Sequence, residues 1–313
     1  MARTTLLDPR GTRELGVPGE REAAADLVQG GDGHAVDPDA YCARIRYGGG
    51  RRPTAATLRG LQRAHTAAVC FENADIALGR DIPLDIASLE RKLVHAGRGG
   101  YCFEQNLFFA AVLEQLGFPV TRHLARVRRG GPGTRYRSHV VLLVEADGRT
   151  WLCDVGFGDE GPLEPLPFTP GARLTVGDWT WRLDREEAAP ARAGLDGGAA
   201  EWVLRSARPD GWFDVYALRL ERQEPADFEV AHYYTAHHPD SFFTGRLVAQ
   251  RGDEHVRHTL TDRVLKARYA DGRVLRTDLA PDEVVHVLRG TFGITLTAEE
   301  SLLLQQRVAS FHD

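Results

Sequence analysis

Arg98-Gly99-Gly100-Tyr101-Cys102-Phe103-Glu104-Gln105-Asn106 is the stretch on which the reading of the fold turns. Two glycines loosen the backbone just before a cysteine. From Phe103 to Gly117 the apolar residues Phe103, Leu107, Ala110, Ala111, Val112 and Leu113 recur near helical spacing, and Gly117-Phe118-Pro119 closes the segment. The pattern predicts Cys102 at or next to a helix N-terminus. Unpaired N–H groups and the positive dipole end there favour a thiolate and lower the thiol pKa. The plainer reading is a buried structural cysteine, the ordinary fate of a lone one.

Composition narrows the setting. The chain has 313 residues, 42% apolar and 27% charged, which describes a globular protein with room for two or three domains. Its net charge of −5 speaks against a nucleic acid or an anionic membrane as partner. No apolar run approaches the ~20 residues of a membrane span. The N-terminus has no apolar core of the signal-peptide kind, so a cytoplasmic location is expected. Cys42, Cys70, Cys102 and Cys153 are scattered without a C-x-x-C pair. That fits a reducing compartment and predicts neither a disulfide framework nor a metal site.

Residues 1–36 carry Gly, Asp, Glu and Ala with little periodicity, and Gly30-Gly31-Asp32-Gly33 reads as a linker. A flexible N-terminal arm is expected there, with at most a short helix over Gly19 to Gln29. Order begins at Asp37-Pro38, an N-cap aspartate with proline at the first helical position. Tyr41 and Ile45 give that helix an apolar face. Thr54 caps a second, with Leu58, Leu61, Ala64, Ala68 and Val69 inward, and Asp85 opens a third, with Ile86, Leu89, Leu93 and Val94 inward. With the Cys102 helix they make residues 37–120 a helical bundle.

The period then falls from 3.6 to 2. Over residues 121–224 strands are expected at Arg122 to Arg129, Ser138 to Ala146, Thr150 to Phe157, Leu174 to Leu183, Glu201 to Ala207 and Trp212 to Leu220. Asp184 to Ala200 reads as a surface loop. Successive antiparallel strands of this kind suggest a barrel or a sandwich. Residues 225–313 add strands at Leu247 to Arg251, His258 to Thr261, Leu265 to Tyr269 and Val274 to Thr277. Two helices follow: Pro281 to Arg289, stopped by Gly290, and Thr297 to Val308 behind a capping box. The whole is an α+β protein in several parts.

Cysteine catalysis needs a base to take the thiol proton and a third group to hold that base. Asp147-Gly148 is a strong two-residue hairpin signal. In such a hairpin Ala146 faces Arg149, so Asp154 faces Val141, and His139 lies diagonal to Asp154 on the same face. Their backbones would be roughly 7–8 Å apart, within reach of a His–Asp hydrogen bond. The carboxylate would fix the imidazole tautomer and stabilise imidazolium beside a Cys102 thiolate. A strand histidine by itself is more often a packed core residue. A buried aspartate on the same face needs partners, which favours the paired reading. Cys153 falls on the opposite face and reads as structural.

With these residues in place, the chain closely resembles the arylamine N-acetyltransferases. Arg98-Gly99-Gly100-Tyr101-Cys102-Phe103-Glu104-Gln105-Asn106 is similar to that family's active-cysteine motif. Ser138-His139-Val140-Val141-Leu142-Leu143-Val144 and Asp154-Val155-Gly156-Phe157-Gly158 resemble its histidine and aspartate motifs, in the same order. Phe71-Glu72-Asn73 and His238-Pro239-Asp240-Ser241-Phe242-Phe243 resemble two further family segments. The resemblance runs from about residue 37 to the C-terminus. It implies a helical bundle, an antiparallel β-barrel and an α/β lid around a cysteine-protease-like Cys–His–Asp core. It implies Cys102 as nucleophile, His139 as base and Asp154 as its orienter. The implied reaction is a two-step transfer from acetyl-CoA or another acyl-CoA to an amine. Phe71 and Phe157 would line the amine pocket. Gly156 and Gly158 would let the coenzyme approach the backbone, with His238 and Phe243 near its cleft. Cys70 and Ala74 stand where the family usually has Pro and Leu, and the first 36 residues are outside the common pattern.

A variant within the same family is an amide synthase that takes a polyketide chain from an acyl carrier protein and releases a macrolactam. A thiol hydrolase or transglutaminase-like enzyme would use the same triad on other substrates, and a non-catalytic binding protein would leave the triad unexplained. Arg126, Arg128, Arg129, Arg135 and Arg137 flank a Gly-Gly-Pro-Gly turn; a solvated strand edge is the first reading, contact with coenzyme phosphates the second. Trp179, Trp181, Trp202, Trp212 and Phe213 read as barrel core.

Overall fold

The caps written in the sequence start the helices. In the computed structural model, which describes residues 35–129, 131, 135–187 and 200–310, the Asp37 carboxylate accepts from the N–H groups of Asp39 and Ala40 at 2.8 and 3.1 Å. Helix α1 (Pro38–Arg44) follows it. The expected arm therefore falls, except for its last two residues, outside the described residues. So do the expected helix over 19–29, most of the Gly-Gly-Pro-Gly turn and most of the 184–200 loop. Thr54 caps α2 (Ala55–Ala68), strand β1 (Phe71–Glu72) precedes the short α3 (Ala74–Ala77), and Asp85 caps α4 (Ile86–Glu90). Helix α4 runs on into a π-helical turn, Arg91–His95. At the centre is α5 (Cys102–Gln115), buried at every position from Cys102 to Leu113. Its buried polar side chains Glu104, Gln105 and Asn106 are each hydrogen-bonded.

Eight strands make the second layer: β2 (Val120–Val127), β3 (His139–Ala146), β4 (Arg149–Cys153), β5 (Leu166–Pro167), β6 (Ala172–Val176), β7 (Trp179–Glu186), β8 (Glu201–Arg208) and β9 (Gly211–Arg219). Their order is β5-β4-β3-β2-β9-β8-β7-β6, antiparallel throughout, and β5 meets β6, so the sheet is a nearly closed barrel. Alternate residues of β3 and β4 face opposite ways. Val141, Leu143 and Leu152 fill the barrel, whereas Val140, Leu142 and Cys153 pack with the helices. Trp179, Trp181 and Trp202 belong to the barrel core and Phe213 packs on it. Trp212 does not; it lies under the Arg182 guanidinium at 4.4 Å.

Several expectations are corrected. The single strand over Leu174 to Leu183 is a hairpin, β6–β7, turning at Gly177-Asp178 with Gly177 at φ 56°. Strand β4 stops at Cys153, so Asp154 to Phe157 leave the ladder. Helix α6 (Pro225–His237) was not expected at all. Gly290 ends inside α7 (Pro281–Gly290), and Gly293 is the residue with positive φ. Helix α8 (Ala298–Ser310) has the expected box, with Thr297 N–H donating to Glu300 at 2.8 Å and Glu300 N–H to Thr297 at 3.1 Å. The last sheet holds β10 (Val248–Gly252), β11 (Val256–Thr261), β12 (Val264–Tyr269) and β13 (Val274–Asp278) in the order β1-β10-β11-β12-β13. Strand β1 of the helical part thus completes the C-terminal sheet. No described helix is long and apolar enough to cross a membrane.

Candidate active site

The β3–β4 hairpin carries two of the three residues singled out in the sequence. Asp147 and Gly148 take φ 51° and 69°, and the ladder runs from Ala146–Arg149 to Leu142–Cys153. Asp154 is the first residue past it. His139 Nε2 lies 2.7 Å from Asp154 Oδ2, both buried. Because a carboxylate can only accept here, Nε2 carries the proton and Nδ1 is left as an acceptor. The other oxygen, Oδ1, accepts from Asn106 Nδ2 and from Gly156 N–H, each at 3.0 Å.

Asn106 holds the other side of this pair, a role its place in the sequence does not announce. One turn after Cys102, it lies on the same helix face. It donates to Val140 O at 2.8 Å and accepts from Val155 N–H at 3.0 Å, tying α5 to β3 and to the segment that follows β4. That i, i+4 spacing was the available signal. Gly156 closes the other side: a Cβ there would stand 2.9 Å from Cys102 Cα. At Gly158, with φ +91°, a Cβ would strike Gln250 Oε1. At both positions the missing side chain makes room for the protein itself.

Cys102 Sγ donates to Ser138 O at 3.5 Å, next to His139. Burial pushes the thiol up, the Asp154 carboxylate adds to this, and the N–H groups of Val140, Phe103 and Cys102 pull the other way. The helix end alone does not outweigh burial here, contrary to the lowered value expected from the sequence. The His139 ring packs against Phe157 at 5.0 Å and Tyr216 at 5.1 Å.

Cys102 and His139 open onto a cavity of about 380 Å³. Phe71, Gly156, Phe157 and Phe243 line it, as do Arg129 and Arg135 at its mouth. Gly158 and His238 do not line it. His238 is half-buried and stacks on Tyr234 at 4.3 Å. A second pocket, also about 380 Å³, shares Phe157 and Arg129 with the first and adds Arg208, Lys266 and Arg268. At its base Glu160 bonds Arg257 at 2.6 Å and Arg208 and Arg268 at 2.5 Å each; these guanidinium groups hold its carboxyl down at about 2 against burial.

An N-acetyltransferase family model matches residues 54–301, which sets the class. An arylamine N-acetyltransferase of Escherichia coli strain K12 is 34% identical over 258 residues, 81% of this chain and 87% of that one. An N-malonyltransferase of Fusarium pseudograminearum is 28% identical over 272 residues, 78% of this chain and 79% of that one. The Nocardia farcinica arylamine N-acetyltransferase structure superposes with a TM-score of 0.79 at 42% identity, covering 86% and 93% of the two chains. The Mycobacterium marinum enzyme in complex with CoA gives 0.78 at 31% identity, covering 88% and 100%. The chain belongs to the arylamine N-acetyltransferase family and is an acyltransferase.

Proposed function

We propose that the protein transfers an acyl group from acyl-CoA to an amine nitrogen through an acyl-Cys102 intermediate. The observation that carries this is His139 held at 2.7 Å by Asp154 while sharing a cavity with Cys102. His139 Nδ1 takes the proton of Cys102, and the sulfur attacks the thioester carbonyl. The C–S bond to CoA breaks, and the leaving thiolate takes the proton back from the imidazolium. In the second half an amine attacks the acyl-sulfur carbonyl, His139 accepts the nitrogen's proton, and the Cys102 thiolate leaves to be reprotonated by His139. Asp154 fixes the imidazole and offsets its charge in both halves.

The cationic second pocket suits the coenzyme's phosphates, with Lys266 on its wall to meet them, and its junction with the first at Phe157 leads toward Cys102. The M. marinum relative bound to CoA and the arylamine names of the relatives support the same reading. Intact-mass analysis with acetyl-CoA and no amine tests it. An acetyl group mapped to Cys102 and absent from Cys102→Ser is expected. No adduct from any acyl-CoA, but one from a carrier-bound chain, would replace it with an amide synthase.

A further inference from the structure

Among the described residues, thirteen line the Cys102 cavity and none of these is an aspartate or glutamate. Its cations are Arg129 and Arg135. The other arginines of that stretch are engaged: Arg128 by Glu186, Glu201 and Asp214, Arg137 by Glu221, and Arg126 by the carbonyl of Arg135. Arg129 and Arg135 have no carboxylate partner among the described residues, and the Arg129 guanidinium lies 5.5 Å over the Phe242 ring. Exposed arginines are ordinarily just solvated. These two stand at the rim of an aromatic cavity that opens on a reactive sulfur.

Their place along the chain fixes their reach. Arg135 is three residues before Ser138, whose carbonyl is 3.5 Å from Cys102 Sγ. Those residues advance at most about 10 Å. Arg129 N–H meets Val215 O at 3.5 Å, beside Tyr216, which packs on His139. An aromatic ring with an acidic substituent spans that interval, with its ring against Phe71, Phe157 and Phe243. A carboxylate on a short acyl chain would instead be tethered a few bonds from the sulfur and leave those walls unused. The coenzyme phosphates are already provided for, in the proposed function, by the second pocket and its Lys266.

Building on the N-acyltransferase reading, we infer that the preferred acceptor is an aromatic amine bearing a carboxylate, which Arg135 and Arg129 bind while the amino group faces Cys102. Guanidinium forks match carboxylates, and charge-assisted hydrogen bonds are stronger than neutral ones.

The test compares kcat/KM for 4-aminobenzoate and for the neutral 4-methoxyaniline, at fixed acetyl-CoA. Wild type, Arg135→Gln, Arg129→Gln and Arg135→Lys are measured, each with its melting temperature. Wild type should prefer the acid. Arg135→Gln should lower the acid-to-neutral ratio about tenfold, the effect of one charge-assisted hydrogen bond, and Arg135→Lys should recover part of it. The ratio is insensitive to a general loss of active protein. A ratio unmoved in both glutamine variants, with the neutral amine still acetylated by wild type, overturns the inference and leaves the transferase reading standing. Wild type that acetylates neither amine and takes no acetyl group on Cys102 removes that reading itself. Two further arms use succinyl-CoA with the neutral amine, and acetyl-pantetheine, which lacks the phosphates. A loss in the variants that follows the succinyl group or the phosphates assigns the arginines to the donor and overturns the acceptor assignment.

Discussion

At Asp154 the direction of two hydrogen bonds decides what a substitution does. Asn106 Nδ2 and Gly156 N–H both donate to Oδ1. In Asp154→Asn they would hold the amide oxygen there and turn the NH₂ toward His139 Nε2. The imidazole must then accept at Nε2 and carry its proton on Nδ1, the nitrogen left for Cys102. Turnover should fall about 10⁴-fold, as when the same change is made in a serine-protease triad, with a nearly unchanged melting temperature. Cys153→Ala, one residue away but packed among the helices, should cost about 1 kcal/mol and keep activity. If Cys153→Ala abolishes turnover while Asp154→Asn does not, the roles assigned to this hairpin are wrong. Cys102, His139 and Asp154 were legible because a helix start and a two-residue turn are local signals. Asn106, inside the same motif, was not singled out, because a polar residue on a buried helix face shows its partners only once the hairpin is folded against it.

Among elements, α5 matters through its first turn. Its N–H groups favour a thiolate at Cys102, but burial and Asp154 push the thiol up, so the proposed mechanism needs His139 to take the thiol proton before the sulfur can attack. Iodoacetamide alkylation of wild-type Cys102 should inflect below the ~8.5 of a free thiol. In His139→Gln the inflection should move above that value, since nothing then offsets burial. An unchanged profile in His139→Gln would remove the ion pair and leave the helix end as the activator. Other elements were harder to read. Helix α6 buries Phe228, Ala231 and Thr235 but exposes Val230 and Tyr233, so its apolar residues trace no single stripe. Its readable mark was Glu224-Pro225 with Asp227 reaching back to Glu224 N–H at 2.8 Å. The β6–β7 turn was hidden by the run of β-formers around Gly177-Asp178.

For the whole molecule, the succession of helices, barrel strands and a final mixed segment followed from a change of hydrophobic period. What joins the parts did not. The two residues of β1 pair with β10 far along the chain, and Arg257 reaches Glu160 97 residues away, the guanidinium 3.7 Å over Trp179. Neither has a local signature. Their electrostatics set how stability depends on pH. His65 is fully buried, with Tyr41 Oη 2.8 Å from Nδ1 and Gln105 Oε1 3.1 Å from Nε2, and burial lowers it from 6.5 to about 3. Glu160 is lowered from 4.5 to about 2 by its arginines. Both groups bind fewer protons folded than unfolded, so the stability they give is complete above the unfolded values. It is lost as pH falls, from 6.5 toward 3 for His65 and from 4.5 toward 2 for Glu160. The melting temperature of wild type should therefore begin to drop near pH 6.5, before most carboxylates titrate. Glu160→Gln should lose the part of the decline below pH 4.5 and be less stable at pH 7 by about 3–5 kcal/mol, because buried Arg257 loses the stronger of its two counter-charges and keeps only Asp159. Urea unfolding at pH 7 measures this. A variant within about 1 kcal/mol of wild type would mean that the ion pair's attraction only repays its own desolvation, and that barrel and C-terminal sheet are held together by the packing of Arg257 on Trp179 and Trp181 instead.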